Sequence, residues 1–399
     1  MNHSSDPIVI VGAARTPLGG FQGDFASLGA AQLGAHAIRA AVERADLDPN
    51  AVDEVLMGCV LPAGVGQAPA RQASIGAGLP LAAGCTTVSK VCGSAMKATM
   101  LAHDVVVASS QQVVVAGGME SMSNAPYLLP KARSGMRLGH GQVVDHMFYD
   151  GLEDRYSTAT NGRLMGAFAE DCARHFRFSR EEQDAFATTS TQRAQLAIRE
   201  GRFDWEVVGV PVQGRGGQKL IAQDELPMKV QLDKVSTLKP SFAKDGTVTP
   251  ANSSSISDGA AALVLMRQSN AKQRGLTPLA VIRGHATHAQ EPQWFTTAPV
   301  GAIQKVLQVT GWQAGQVDLW EINEAFAVVT MAAMRELSLP HDRVNVNGGA
   351  CALGHPIGAT GARLVVTLLG ALRQRGARRG VASLCIGGGE ATALAIELV

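Results

Sequence analysis

A chain of 399 residues exceeds the size at which one hydrophobic core stops growing, so two or more domains are expected. With 46% hydrophobic and 17% charged residues it is excluded from the disordered class, and 44 glycines suit many tight strand–helix junctions. A formal net charge of +1 gives no field that would draw the molecule to nucleic acid or an anionic membrane, and neither is expected as a partner.

In chain order, Met1 to Pro7 is short and polar, without the charged and apolar regions of a secretory signal. The apolar run Ile8-Val9-Ile10-Val11-Gly12 reads as a buried strand. Apolar residues recur at helical spacing from Ala30 to Arg44, and Leu47-Asp48-Pro49 ends that pattern. Val52 to Gly58 reads as another strand. From about Ser121 to Asn252 the texture changes. A basic, proline-bearing loop (Tyr127 to His140) and a charged helix-like span (Phe178 to Arg202) suggest an insertion that returns near Gly259-Ala260-Ala261-Ala262-Leu263-Val264-Leu265.

Then the chain repeats itself. A helix opens at Ala302-Ile303 and runs to Gly311, and a strand follows at Val317-Asp318-Leu319-Trp320-Glu321-Ile322-Asn323. Ala37-Ile38 matches Ala302-Ile303, and Val52-Asp53 matches Val317-Asp318 at the same offset. A second correspondence joins Val113–Glu120 to Leu384–Glu390. A period this long predicts a duplicated α/β domain rather than a solenoid. No apolar run long enough to cross a bilayer is evident, the last residues are not a peroxisomal address, and six scattered cysteines do not read as a disulfide framework. The cytoplasm is the expected compartment.

In open α/β sheets functional groups gather beyond the carboxyl ends of strands. Cys92 lies in Val88-Ser89-Lys90-Val91-Cys92-Gly93-Ser94, at a turn into a helix of small residues, where the helix dipole would favour thiolate. A lone cysteine is more often a buried apolar residue. Three other segments change that balance. His355 stands among glycines in Gly354-His355-Pro356-Ile357-Gly358, where imidazole could take a thiol proton or hold an oxyanion. Asn323-Glu324-Ala325-Phe326 presents an amide and a carboxylate at a strand end, or simply a helix cap. Cys385-Ile386-Gly387-Gly388-Gly389 closes the last strand with a second cysteine and bare backbone amides.

Together these segments resemble the thiolase family along essentially the whole chain. The resemblance begins at Ala13-Ala14-Arg15-Thr16-Pro17, passes through Gly117-Gly118-Met119-Glu120-Ser121-Met122-Ser123 and closes at Cys385-Ile386-Gly387-Gly388-Gly389. It implies an α/β thiolase fold with two similar halves, whose mixed five-stranded sheets pack in layers. The implied division is residues 1–122 with 256–276, an inserted loop domain over 123–255, and a second half over 277–399. It also implies an acyltransferase of the acetyl-CoA acetyltransferase type. Such an enzyme reversibly condenses two acetyl-CoA to acetoacetyl-CoA and CoA by a ping-pong course. The broad-range 3-ketoacyl-CoA thiolase of fatty-acid degradation is the alternative.

Carried over by motif position, Cys92 would be the acylated nucleophile and His355 its activator. Cys385 would be the acid/base acting on the α-carbon. Asn323 would orient a water in one oxyanion hole, and the amides of Cys92 and Gly387 would form the other. Ser254, in Thr249–Gly259, would meet the pantetheine arm, and Met165, Ala325 and Phe326 would adjoin the acyl group. Lys219 and Lys229 could meet CoA phosphates, although solvated surface is the simpler reading of each. No metal cluster or phosphate-cradling loop is evident, so CoA is expected as substrate and product, with no separate cofactor.

Departures from the family pattern fall around the pocket. Leu164-Met165-Gly166 replaces a usual His-Met-Gly, the Asp150–Met165 stretch is somewhat long, and Phe295 stands where methionine is common. Cys351 replaces an aliphatic residue beside the His355 loop. A ketoacyl synthase on the same fold would lack Cys385, and a non-catalytic acyl-CoA-binding relative need not keep all four polar groups. The family assembles as dimers, often paired into tetramers through the inserted loop, so a homotetramer touching through Tyr127–His140 is expected.

Overall fold

The computed structural model describes residues 6–214 and 216–399. Most of Met1–Pro7, read above as lacking a signal, lies outside them. Strand β1 (Ile8–Arg15) is buried on both faces, which explains its unbroken apolar run. Helix α1 (Ala30–Arg44) occupies the predicted span and turns Leu33, Ala37, Ile38 and Ala41 inward. After it come β2 (Glu54–Gly58), α2 (Pro69–Gly76), β3 (Gly84–Val88), α3 (Ser94–Ala108) and β4 (Val113–Ser121).

The chain then leaves the sheet and returns as β5 (Ser257–Arg267), which pairs antiparallel with both β4 and β1. In between lie α4 (Met165–Phe176) and α5 (Arg180–Arg199). The charged span forms α5 because Ser179 and Glu182 cap its first turn reciprocally, Glu182 N donating to Ser179 Oγ at 3.2 Å and Ser179 N to Glu182 Oε2 at 2.7 Å. The excursion is tied to β1 through buried Arg15, whose guanidinium donates to Glu206 at 2.6 Å and Asp224 at 2.7 Å.

The second half repeats the pattern with β6 (Ala280–Ala289), α6 (Ala298–Thr310), β7 (Leu319–Ile322), α7 (Ala327–Glu336), α8 (Thr360–Arg375), β8 (Arg379–Ile386) and β9 (Glu390–Leu398). Asp53 Oδ2 accepts the amides of Gln112 and Val113 at 2.8 and 2.9 Å, and Asp318 Oδ2 accepts those of Arg378 and Arg379 at 2.9 and 2.8 Å. Each aspartate therefore starts the strand beside it in the same way. The second sequence correspondence is in the wrong register. Met57 pairs with Gly117 and its counterpart Ile322 with Ser383, so the Gly117-Gly118 pair matches Ser383-Leu384 and not the terminal glycines.

The strand order is β7-β8-β9-β6-β1-β5-β4-β2-β3, with the two-residue strand Gly19–Gly20 added at β5. The first half supplies five strands in a mixed sheet. The second supplies four, with a single bridge from Trp320 to Val344 in place of the fifth. Two residue pairs, Val9 with Val281 and Ile10 with Ala280, join the halves edge to edge. The layers follow from the apolar clusters. Helices α1 and α2 cover one outer face, α6 and α7 the other, and α3 and α8 pack between the two halves of the sheet. By length and composition Val91–Ala108 would suit a membrane span, contrary to the sequence expectation; half of that window is buried inside the fold, as in a core helix.

Candidate active site

Cys92 sits on the elbow between β3 and α3. Val91 before it has φ 46°, a left-handed backbone that costs a β-branched residue ~1–3 kcal/mol. Ser94 holds the strain: its Oγ accepts from Lys90 N at 2.8 Å and donates to Val91 O at 2.7 Å. Gly93 leaves room here for the Ile386 side chain at the end of β8, whose Cδ1 would lie 2.3 Å from an added Cβ. That close approach brings the amide of Gly387 onto the Cys92 sulfur, alongside the amide of Cys92 itself. The helix dipole does not produce the expected thiolate. Burial outweighs the two amides and pushes the thiol up to about 11, helped by Glu120.

His355 follows Gly354, whose φ of 99° and whose would-be Cβ, 2.1 Å from Ser257 Oγ, leave room only for glycine. The ring is fixed through Nδ1, 2.6 Å from Thr360 Oγ1, and that hydroxyl donates onward to Pro356 O at 2.9 Å. We assign the single hydroxyl proton to Pro356 O, which can only accept; Nδ1 then carries the imidazole proton and Nε2 keeps a free lone pair. Burial, with Arg363 nearby, holds His355 down to about 3, so the resting ring is neutral.

Asn323 directly follows β7, fully buried, with Nδ2 3.5 Å from His355 Nε2 and Oδ1 3.5 Å from the Arg363 guanidinium. Glu324, the neighbouring carboxylate, turns the other way. It accepts from Ser190 Oγ at 2.7 Å, Asn345 Nδ2 at 2.8 Å and Cys351 N at 3.0 Å, and so braces the start of the His355 loop. Cys385, next to last in β8, is fully buried, and its thiol is pushed up by burial first and then by Cys92.

These groups meet at a cavity of about 500 Å³. Cys92, His355 and Gly387 line it, as do Ser254, Met165, Ala325 and Phe326 from the substrate set. Asn323 and Cys385 are buried and outside that lining, Asn323 within 3.5 Å of His355 and Cys385 in the apolar cluster of Met165, Ala325 and Phe326. Ser254 N donates to Ala325 O at 3.0 Å, which holds the Thr249–Gly259 loop against the Asn323–Phe326 turn. Leu164 and Phe295, the two departures, also face the cavity, as does Phe242, whose ring meets that of Phe326 edge-on at 6.0 Å. Lys219 is exposed, 3.8 Å from Asp24, and Lys229 pairs with Glu225 at 2.5 Å beside a smaller pocket shared with Ser255 and Pro250.

Sequence reasoning passed over three supporting residues, of which Glu120 alone stands inside a motif quoted above. Thr360 and Arg363 set the protonation and surroundings of His355 and Asn323. Glu120 is a buried carboxyl pushed up to about 7 by desolvation, and it accepts from Val60 N at 2.9 Å and Leu61 N at 3.1 Å and from the amide of Gly358. An acid at the end of an unbroken apolar strand was the available signal for it.

The arrangement is that of an acyl-transfer enzyme with two thiols. The family profile of the thiolase N-terminal domain matches residues 8–269 and that of the thiolase C-terminal domain matches 276–398. The chain belongs to the thiolase family. It is 50% identical to acetyl-CoA acetyltransferase 2 of Arabidopsis thaliana, with all of both chains covered. It is 49% identical to the acetyl-CoA acetyltransferase of Escherichia coli, over 98% of each chain. The structure of acetyl-CoA acetyltransferase from Syntrophomonas wolfei superposes with a TM-score of 0.95 at 40% identity, covering 99% of this chain and 100% of that one.

Proposed function

We propose that this protein is an acetyl-CoA C-acetyltransferase that condenses two acetyl-CoA to acetoacetyl-CoA and CoA, and runs the reverse thiolysis. The observation that carries the reading is the meeting of Cys92, His355 and Gly387 at one apolar cavity, with Asn323 beside His355 and Cys385 packed with the lining residues Ala325 and Phe326.

The Cys92 sulfur attacks the thioester carbonyl while its proton passes to Nε2 of His355. The amides of Cys92 and Gly387 receive the charge that develops on the carbonyl oxygen, and each such donor is worth ~3 kcal/mol. CoA leaves as a thiolate and takes the Cys385 proton. The products of this half are acetyl-Cys92, protonated His355 and the Cys385 thiolate. Burial disfavours that anion, which makes it a strong base for the α-proton of a second acetyl-CoA. Protonated His355 and a water oriented by the Asn323 amide hold the enolate oxygen. The enolate carbon attacks acetyl-Cys92, and the expelled sulfur recovers its proton from His355. Every proton returns to its starting residue except the α-proton, which remains on Cys385 and replaces the one given to CoA. Thiolate serves as both nucleophile and leaving group, as alkoxide cannot. The chemistry needs no metal or organic cofactor.

The mostly apolar lining and the loop at Ser254 support acyl-CoA and CoA as ligands. A homotetramer is supported by the apolar side chains displayed around the Tyr127–His140 loop, Tyr127 at 70% exposure and Leu138 at 98%. The six free cysteines support a reducing compartment, the cytoplasm. Intact-mass analysis after mixing with acetyl-CoA tests the central step. One acetyl group per chain, absent in Cys92→Ala, supports the reading, and acetylation that survives this substitution refutes it.

A further inference from the structure

Far along α3 from Cys92, three potential ligands converge from two elements. His103 Nδ1 lies 3.0 Å from Asp104 Oδ1, and His285 Nε2, reaching over from β6, lies 2.9 Å from the same oxygen. All three atoms fall within 4.8 Å of one another, and the two rings meet edge to face with centroids 5.0 Å apart. We propose that His103, Asp104 and His285 bind a divalent transition-metal ion of the zinc class, which clips α3 of the first half to β6 of the second.

The spacing fits. An ion held at ~2.0–2.1 Å by three ligands of a tetrahedron places them about 3.3 Å apart; the two nitrogen–oxygen distances need to lengthen by only a few tenths of an ångström, and the two nitrogens, within 4.8 Å of each other, need to settle at the same spacing. Two imidazoles and one carboxylate select zinc, nickel or cobalt over magnesium or calcium, which require oxygen ligands. The histidine side chains are 22% and 18% exposed and Asp104 is 52% exposed, so the rings are held by packing while the ion enters from solvent on the carboxylate side. The fourth position is open to water. The proposal is independent of the reaction at Cys92.

The test is calorimetric titration of ZnCl2 into the chelator-treated full-length protein. A Cys92→Ala background removes the thiol that lines the cavity. One ion per chain is expected, with affinity at least ~10-fold weaker in His285→Gln and in Asp104→Asn, in line with losing one ligand. Zinc should raise the Tm of the parent and leave that of His285→Gln unchanged. In otherwise wild-type protein His285→Gln should keep the thiolysis rate, which shows that it folds. Cobalt loading should give d–d absorption without a thiolate charge-transfer band. Absence of saturable binding, binding unaffected by His285→Gln, or a thiolate band would each overturn the proposal, leaving Asp104 as a carboxylate that bridges two imidazoles.

Discussion

Thr360 Oγ1 lies 2.6 Å from Nδ1 of His355 and 2.9 Å from Pro356 O, and with its proton assigned to that carbonyl the imidazole is the tautomer with its lone pair on Nε2. A base at Nε2 is what the Cys92 thiol requires. Thr360→Val keeps the shape and removes the acceptor, so Nδ1–H is left unpaired and the ring can turn or change tautomer. The expected result is a fall of ~100-fold in kcat/KM for thiolysis, within the range for general acid–base groups. Near-normal turnover in a folded Thr360→Val protein would contradict the tautomer assignment.

The resting charge state can be read from alkylation. Burial pushes Cys92 up to about 11 and His355 down to about 3, so the pair is neutral near pH 7–8 and the thiolate is scarce. Iodoacetamide inactivation should therefore accelerate about tenfold per pH unit between roughly pH 7 and 10. A rate already at its plateau below pH 7 would reveal a preformed thiolate–imidazolium pair and refute the neutral resting state.

The two thiols should separate by half-reaction. Cys385→Ala leaves the nucleophile, His355 and the Gly387 amide in place, so acetyl-Cys92 should still form, although slowly, because CoA leaves without its acid. Carbon–carbon bond formation should fall by several orders of magnitude, since the mechanism assigns the α-proton to Cys385 alone. Condensation at more than a hundredth of the wild-type rate, on the ~10²–10⁴-fold scale of acid–base contributions, would remove Cys385 from the mechanism.

Burial of neutral His355 also ties stability to pH. Its folded pKa of about 3 lies below the ordinary value of 6.5, so below pH 6.5 the unfolded chain takes up a proton that the folded chain refuses. The contribution is fully present above pH 6.5 and is lost as pH falls toward about 3, at up to ~1.4 kcal/mol per pH unit. Denaturant unfolding of His355→Asn should show a shallower decline with acid than wild type. Parallel curves would show that His355 is charged in the folded state.

Much of this was legible in the sequence, because it depends on local pattern. The periodicity of Ala30–Arg44 matched α1, and the Val52-Asp53 and Val317-Asp318 repeat marks two aspartates that start equivalent strands. The glycine-flanked segments were found because glycine alone tolerates the φ of Gly354, and at Gly93 it leaves room for the Ile386 side chain. What remained hidden is set by contacts across the fold. The helix dipole at α3 is visible in sequence, but the desolvation that outweighs it comes from β8 and the His355 loop closing over Cys92. Asn323 and Glu324 look alike as polar residues after a strand, and only the packing of α5 sends Glu324 to Ser190 while Asn323 meets His355. The terminal glycines resemble Gly117-Gly118 by composition, yet the strand register pairs them otherwise.

The most direct measurement is the loss of acetoacetyl-CoA in the presence of free CoA, beside 3-ketohexanoyl- and 3-ketooctanoyl-CoA, with Cys92→Ala as control. The account predicts CoA-dependent cleavage of acetoacetyl-CoA in preference to the longer substrates, with ping-pong kinetics, abolished in the control. Faster cleavage of the longer chains would contradict the acetyl-CoA acetyltransferase assignment, and no CoA-dependent cleavage of any of them would contradict the mechanism itself.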